Sequence, residues 1–160
     1  MTRDELHTKS PERIVIIGVG NLLLKDEGVG VQVIHVLKEK NNFPENVELV
    51  DAGTAALDVL QMLGEVDQLI VIDAVKGGCA PGTIYKFKPG DIRSTNRATT
   101  SLHQLGFIEA LSIVEKLGKA PKNVTIIGIE PGEIDIGLEL SPEIAAKVPK
   151  IIQLVMGMIM

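Results

Sequence analysis

The chain has 160 residues, 45% of them hydrophobic, which suits one domain with a real core and is too apolar for a disordered chain. A net charge of −5 without any run of Lys or Arg argues against a nucleic-acid-binding surface. The single cysteine, Cys79, excludes an intramolecular disulfide and a Cys-rich zinc site, and fits a reducing cytoplasm.

Residues 1–12 are polar and charged, with no apolar stretch of the kind found in signal peptides or membrane anchors. They are expected to form a frayed tail before one domain over residues 13–160. Ile14, Val15, Ile16 and Ile17 make a continuous β-branched run, as in a strand buried on both faces, and Gly18 ends it. Gly18, Gly20, Gly28 and Gly30 come next, with the acids Asp26 and Glu27 between them. Carboxylates just beyond a strand's carboxyl end stand where open α/β sheets bind ligands. Val29, Val33, Val36 and Leu37 share one helical stripe opposite Gln32, His35 and Glu39, predicting a helix from Gly28 to Lys40 that Asn41, Asn42 and Pro44 end.

Val47 to Val50 reads as the second strand, closing on Asp51-Ala52-Gly53-Thr54, and Ala55 to Leu63 as a helix stopped by Gly64. Leu69 to Ile72 is the third strand and ends in Asp73; residues 76–82 are loop by composition. Thr83 to Phe87 alternates like an antiparallel edge strand. Residues 89–100 lack a period and predict a loop able to fold over a site. Ser101 and Gln104 fit a capping box for a helix ending near Gly118, so His103 falls in its first turn. Val124 to Ile129 is the last strand, running into Glu130. Ser141-Pro142-Glu143 supplies an N-cap, a first-turn proline and an acid for the closing helix, whose core face is Ile151, Ile152, Leu154, Val155, Met158 and Ile159. That helix is too short to span a bilayer, and no membrane role is expected. Strands alternating with helices predict a three-layer α/β sandwich, a mostly parallel twisted sheet of about five strands with helices on both faces.

The strand-end rule gathers Glu27, Asp51, Asp73 and Glu130 at one edge, with His103 at a helix start able to join them. The helix dipole there favours neutral imidazole, and two carboxylates with one imidazole suit a borderline divalent ion such as nickel or zinc. Acids at strand ends also serve only to cap the next helix, a reading that stays open for each, Asp51 and Glu130 above all. His35 lies on a polar helix face and His7 in the tail, and Cys79 has no histidine at a supporting spacing. A mononucleotide-binding or metal-binding α/β module is the alternative. Gly18-Val19-Gly20 comes directly after a strand, but Leu23 replaces the third glycine of the dinucleotide fingerprint and Asp26 and Glu27 would repel a pyrophosphate. No G-x-S-x-G elbow marks a serine hydrolase.

Taken together, residues 18–30 (GVGNLLLKDEGVG), Asp51-Ala52-Gly53-Thr54, Val71-Ile72-Asp73-Ala74 and Ser101-Leu102-His103-Gln104-Leu105-Gly106 resemble the hydrogenase maturation endopeptidases, over nearly the whole chain from Arg13. The resemblance implies an endopeptidase that removes the C-terminal extension from the large-subunit precursor of a nickel-iron hydrogenase once nickel is inserted. It implies Glu27, Asp73 and His103 as metal-binding and catalytic residues, with nickel carried by the substrate and other divalent ions able to occupy the site. Ala56 stands where relatives often carry glycine, beside no implied ligand. The metal can be catalytic or a recognition element, and an acid such as Asp73 can be the general base.

Overall fold

The computed structural model describes residues 12–40, 42–91 and 102–159, with side chains in the last stretch from Phe107 on. Residues 1–11 of the expected tail, Asn41, the Ser101 cap and most of the loop expected over 89–100 lie outside these residues; within that loop, residues 89–91 form a helical turn.

Strands β1 (Ile14–Val19), β2 (Val47–Gly53), β3 (Gln68–Ala74) and β5 (Asn123–Ile129) are parallel, and β4 (Ile84–Phe87) pairs antiparallel with β5 at one edge. They form one five-stranded sheet in the order β2-β1-β3-β5-β4. The edge strand read from alternation is therefore present. Helices α1 (Val29–Lys40), α2 (Ala56–Leu63), α3 (Leu102–Lys116), α4 (Pro142–Ala145) and α5 (Val148–Ile159) complete the described fold, with a 3-10 turn over Lys25–Gly28 before α1.

Because side chains alternate across a strand, each central strand feeds two cores. Ile14, Ile16, Ile70, Ile72, Ile127 and Ile129 pack on one face against Val33, Ile34 and Leu37 of α1 and Ile151, Ile152 and Val155 of α5. On the other face Val15, Ile17, Leu69, Val71 and Ile126 meet Leu60 and Leu63 of α2 and Phe107, Leu111 and Val114 of α3. The result is the three-layer arrangement expected, and fully buried aliphatics of this kind each contribute about 1.5–3 kcal/mol. Among the described residues no helix is long and apolar enough to cross a membrane.

Three local expectations change. Strands β1, β2 and β3 run two or three residues beyond the carboxyl ends of their apolar runs, so Asp51 and Asp73 lie inside strands rather than after them. The closing helix is two helices, α4 and α5. Ser141 sits at the N-cap of α4 with extended backbone, but its hydroxyl makes no cap bond. That hydroxyl goes to Asp26.

Candidate active site

The chain leaves β1 through α1 to β2 on one side, then returns through α2 to β3 on the other. The order of strands thus reverses between β1 and β3, and at such a switch point the connections diverge and leave a crevice beyond the carboxyl ends. Glu27 lies in the 3-10 turn of the connection after β1, and Asp73 is the last residue but one of β3, so both belong to the elements that flank this switch point.

The glycines explain how tightly the β1–α1 connection lies on the sheet. A Cβ on Gly30 would stand 2.1 Å from the Ile72 carbonyl oxygen, and one on Gly18 would stand 2.3 Å from that of Gly30. Gly20, at φ 143°, would place a Cβ 2.1 Å from the Glu27 carbonyl oxygen. The space beside these glycines is filled by the chain's own backbone, so Gly18-Val19-Gly20 offers no open cradle for a phosphate.

Asp26 fixes the turn. It is fully buried, and Oδ2 accepts from Gly132 N (2.8 Å), Glu133 N (2.6 Å) and Ser141 Oγ (2.7 Å) while Oδ1 accepts from Ser141 N (2.8 Å). Burial acts to raise its pKa, but the hydrogen bonds together outweigh burial and bring it below the usual aspartate value. In return its own N–H donates to the Glu133 carbonyl. Glu27, the next residue, is thereby held on an anchored backbone, half-buried.

Asp73 is 2% exposed. Alternation puts it on the same face as Leu69 and Val71, the face that α3 covers. Burial raises its pKa well above the ordinary range, the Ala74 N–H bonded to Oδ1 at 2.8 Å opposes this, and the negative charge of Glu27 raises it further. Glu27 and Asp73 are therefore close enough to feel one another. Among the described residues no donor reaches Asp73 Oδ2.

Helix α3 ends beside the sheet's amino edge, where Lys122 N donates to Val66 O. Its 15 residues, at ~1.5 Å each, then carry its first turn towards the carboxyl edge. His103 is in that turn, and its side chain lies outside the described residues. Among the described residues no three His, Cys, Asp or Glu side chains gather to hold a metal ion.

The other two strand-end acids have local work. Asp51 accepts from Gly53 N at 3.0 Å and pairs with His35 Nε2 at 2.9 Å, so it closes its own turn and meets the exposed face of α1. Glu130 is buried, and its Oε1 accepts from Gly77 N (2.8 Å), Cys79 N (3.1 Å) and Tyr85 Oη (2.7 Å), pinning the β3–β4 loop. Neither caps a helix. The residues that sequence reading undervalues are Asp26 and Ser141, whose partners lie more than a hundred residues apart and leave no local pattern.

Known proteins share this fold. The family model described as hydrogenase maturation protease matches residues 31–158. A hydrogenase expression/formation protein HupD of Rhodobacter capsulatus is 39% identical over 140 residues, covering 86% of this chain and 67% of the relative. The hydrogenase 2 maturation protease of Escherichia coli is 33% identical over 146 residues, covering 91% and 89%. Among solved structures, the hydrogenase maturating endopeptidase HybD of E. coli superposes with a TM-score of 0.80 at 33% identity, covering 91% of this chain and 90% of that one. The HybD protease of Thermococcus kodakarensis gives a TM-score of 0.77 at 28% identity, covering 92% and 99%. A five-stranded α/β sheet with this switch point, matched along its length by these proteases, belongs to the hydrogenase maturation protease family, and the chain is a peptidase of that family.

Proposed function

We propose that this peptidase removes the C-terminal extension from the large-subunit precursor of a nickel-iron hydrogenase after nickel insertion, working through Glu27, Asp73 and His103. The observation that carries the site is the topology, which puts Glu27 in the connection after β1 and Asp73 near the carboxyl end of the neighbouring strand β3, at the switch point where a cation would meet both carboxylates.

Two carboxylates and one imidazole suit a borderline divalent ion and leave coordination positions for groups from another protein. Nickel held by the precursor is substrate here. Sharing it would align the neighbouring peptide bond with Asp73 and could supply roughly 7–11 kcal/mol through positioning alone. Asp73, with its raised pKa and Oδ2 without a donor among the described residues, can take a proton from an attacking water. Glu27 keeps Asp73 from ionising too easily and offers the second oxygen ligand. Asp26 orients Glu27 without touching substrate.

The test compares nickel-loaded with nickel-free precursor at equal enzyme, following release of the C-terminal peptide by mass spectrometry. Release from the loaded form alone supports nickel recognition; equal rates would remove it while leaving the peptidase. The module alternative predicts a thermal shift with ATP or NAD, whereas the peptidase reading predicts none with nucleotides and a modest one with nickel, zinc or cadmium.

A further inference from the structure

Beside the crevice lies an apolar surface that the chemistry does not use. Leu23 is 61%, Ile136 85% and Leu138 62% exposed. They come together because Gly137 N donates to Leu23 O (2.9 Å) and Lys25 N to Gly137 O (3.0 Å), a parallel bridge between the Glu27 turn and the segment before α4. The bonds of Asp26 fasten the same two segments, and Gln32 Nε2 holds Leu138 O at 2.9 Å. The exposure therefore belongs to an anchored surface. Exposed apolar side chains brought onto neighbouring segments in this way, among polar residues, mark an interaction site.

We propose that Leu23, Ile136 and Leu138 form the platform on which the folded body of the large-subunit precursor docks while its C-terminal extension enters the crevice; this rests on the function proposed above. Two observations select that occupant. Leu23 and Glu27 are ends of one five-residue stretch, so a body seated on Leu23 is within ~15 Å of Glu27 along the chain. The rim is acidic: Glu133, Asp135 and Glu139 are exposed, and Lys25 is already paired with Glu133 at 3.4 Å. A second copy would bring the same acidic rim against itself in a two-fold contact, whereas a partner with an apolar surface and basic rim complements it.

The experiment measures cleavage of full-length nickel-loaded precursor by the wild type, by Leu23→Ser/Ile136→Ser/Leu138→Ser, and by Met62→Ser, an equally exposed apolar position on α2. The platform variant should raise KM roughly tenfold or more with kcat within about twofold, and Met62→Ser should change neither. Glu133→Lys/Glu139→Lys should raise KM as well. An unchanged KM in the platform variant overturns the docking proposal alone; a wild type that never cleaves the precursor overturns the function and the platform with it. A dimer that the platform variant dissociates, with KM unchanged, assigns the patch to self-association and overturns the proposal. If the triple variant loses its cooperative melt, Ile136→Ser alone takes its place, with a KM rise of roughly threefold expected and no rise overturning the proposal.

Discussion

Ser141 Oγ donates to Asp26 Oδ2 at 2.7 Å across 115 residues of sequence, and Ser141 N reaches the other oxygen of the same carboxylate. The residue positioned to cap α4 thus spends its hydroxyl on the turn that carries Glu27. That carboxylate, together with the backbone bonds of Gly137 to Leu23 and Lys25, ties the loop after β1 to the approach to α4.

Asp26→Ala should cost roughly 3–5 kcal/mol, since it leaves three N–H groups and a hydroxyl buried without an acceptor. Its pKa lies below the ordinary value in the folded state, so the stability it contributes is present above about pH 4 and is lost as pH falls through the folded pKa. Urea unfolding of wild type and variant at neutral and at acid pH checks both; the gap should narrow in acid. A variant as stable as wild type would mean the four hydrogen bonds contribute nothing net.

Gly30→Ala should destabilise by about 1–3 kcal/mol or more, because the new Cβ would stand 2.1 Å from the Ile72 carbonyl oxygen and 2.7 Å from that of Val19. Relief requires α1 to move off the strand ends, taking the Glu27 turn with it. Cleavage should fall more steeply than the loss of folded protein explains, as circular dichroism and peptide release measured together would show.

Much of this is legible in the chain. Continuous β-branched runs such as Ile14–Ile17 and Leu69–Ile72 report strands buried on both faces, and the helical stripes of α1 and α5 report which side of each helix meets the sheet. The placement of Glu27 and Asp73 towards the carboxyl edge of the sheet is legible because strand ends and glycine turns are local features. The roles of Asp26, Glu130 and Ser141 are not. Each satisfies or joins groups far away in sequence, and local capping rules assign the nearest helix instead. Strands run past their apolar stretches because Asp51, Gly53 and Asp73 pair in the ladder by tertiary context, against their own preference for turns.

Asp73 predicts an opposite pH dependence from Asp26. Burial, assisted by Glu27, raises its folded pKa, so below about pH 4 both states are protonated and it imposes no loss. As pH rises above that, the unfolded chain ionises first and wild-type stability falls relative to Asp73→Asn until the folded pKa is reached. Unfolding free energies of the two proteins against pH should diverge in that sense. Glu27→Gln, which removes the neighbouring charge, should reduce the divergence.

The most direct test of the central claim measures peptide release and thermal stability of Asp73→Asn on one preparation with nickel-loaded precursor. A buried carboxyl that suffers desolvation and a like charge is not there for stability, and an amide of the same shape removes the burden. The expected result is a melting temperature at neutral pH equal to or above that of wild type, with no detectable release of the C-terminal peptide, and the same loss of release in Glu27→Gln and His103→Ala. Cleavage by Asp73→Asn at the wild-type rate would contradict it.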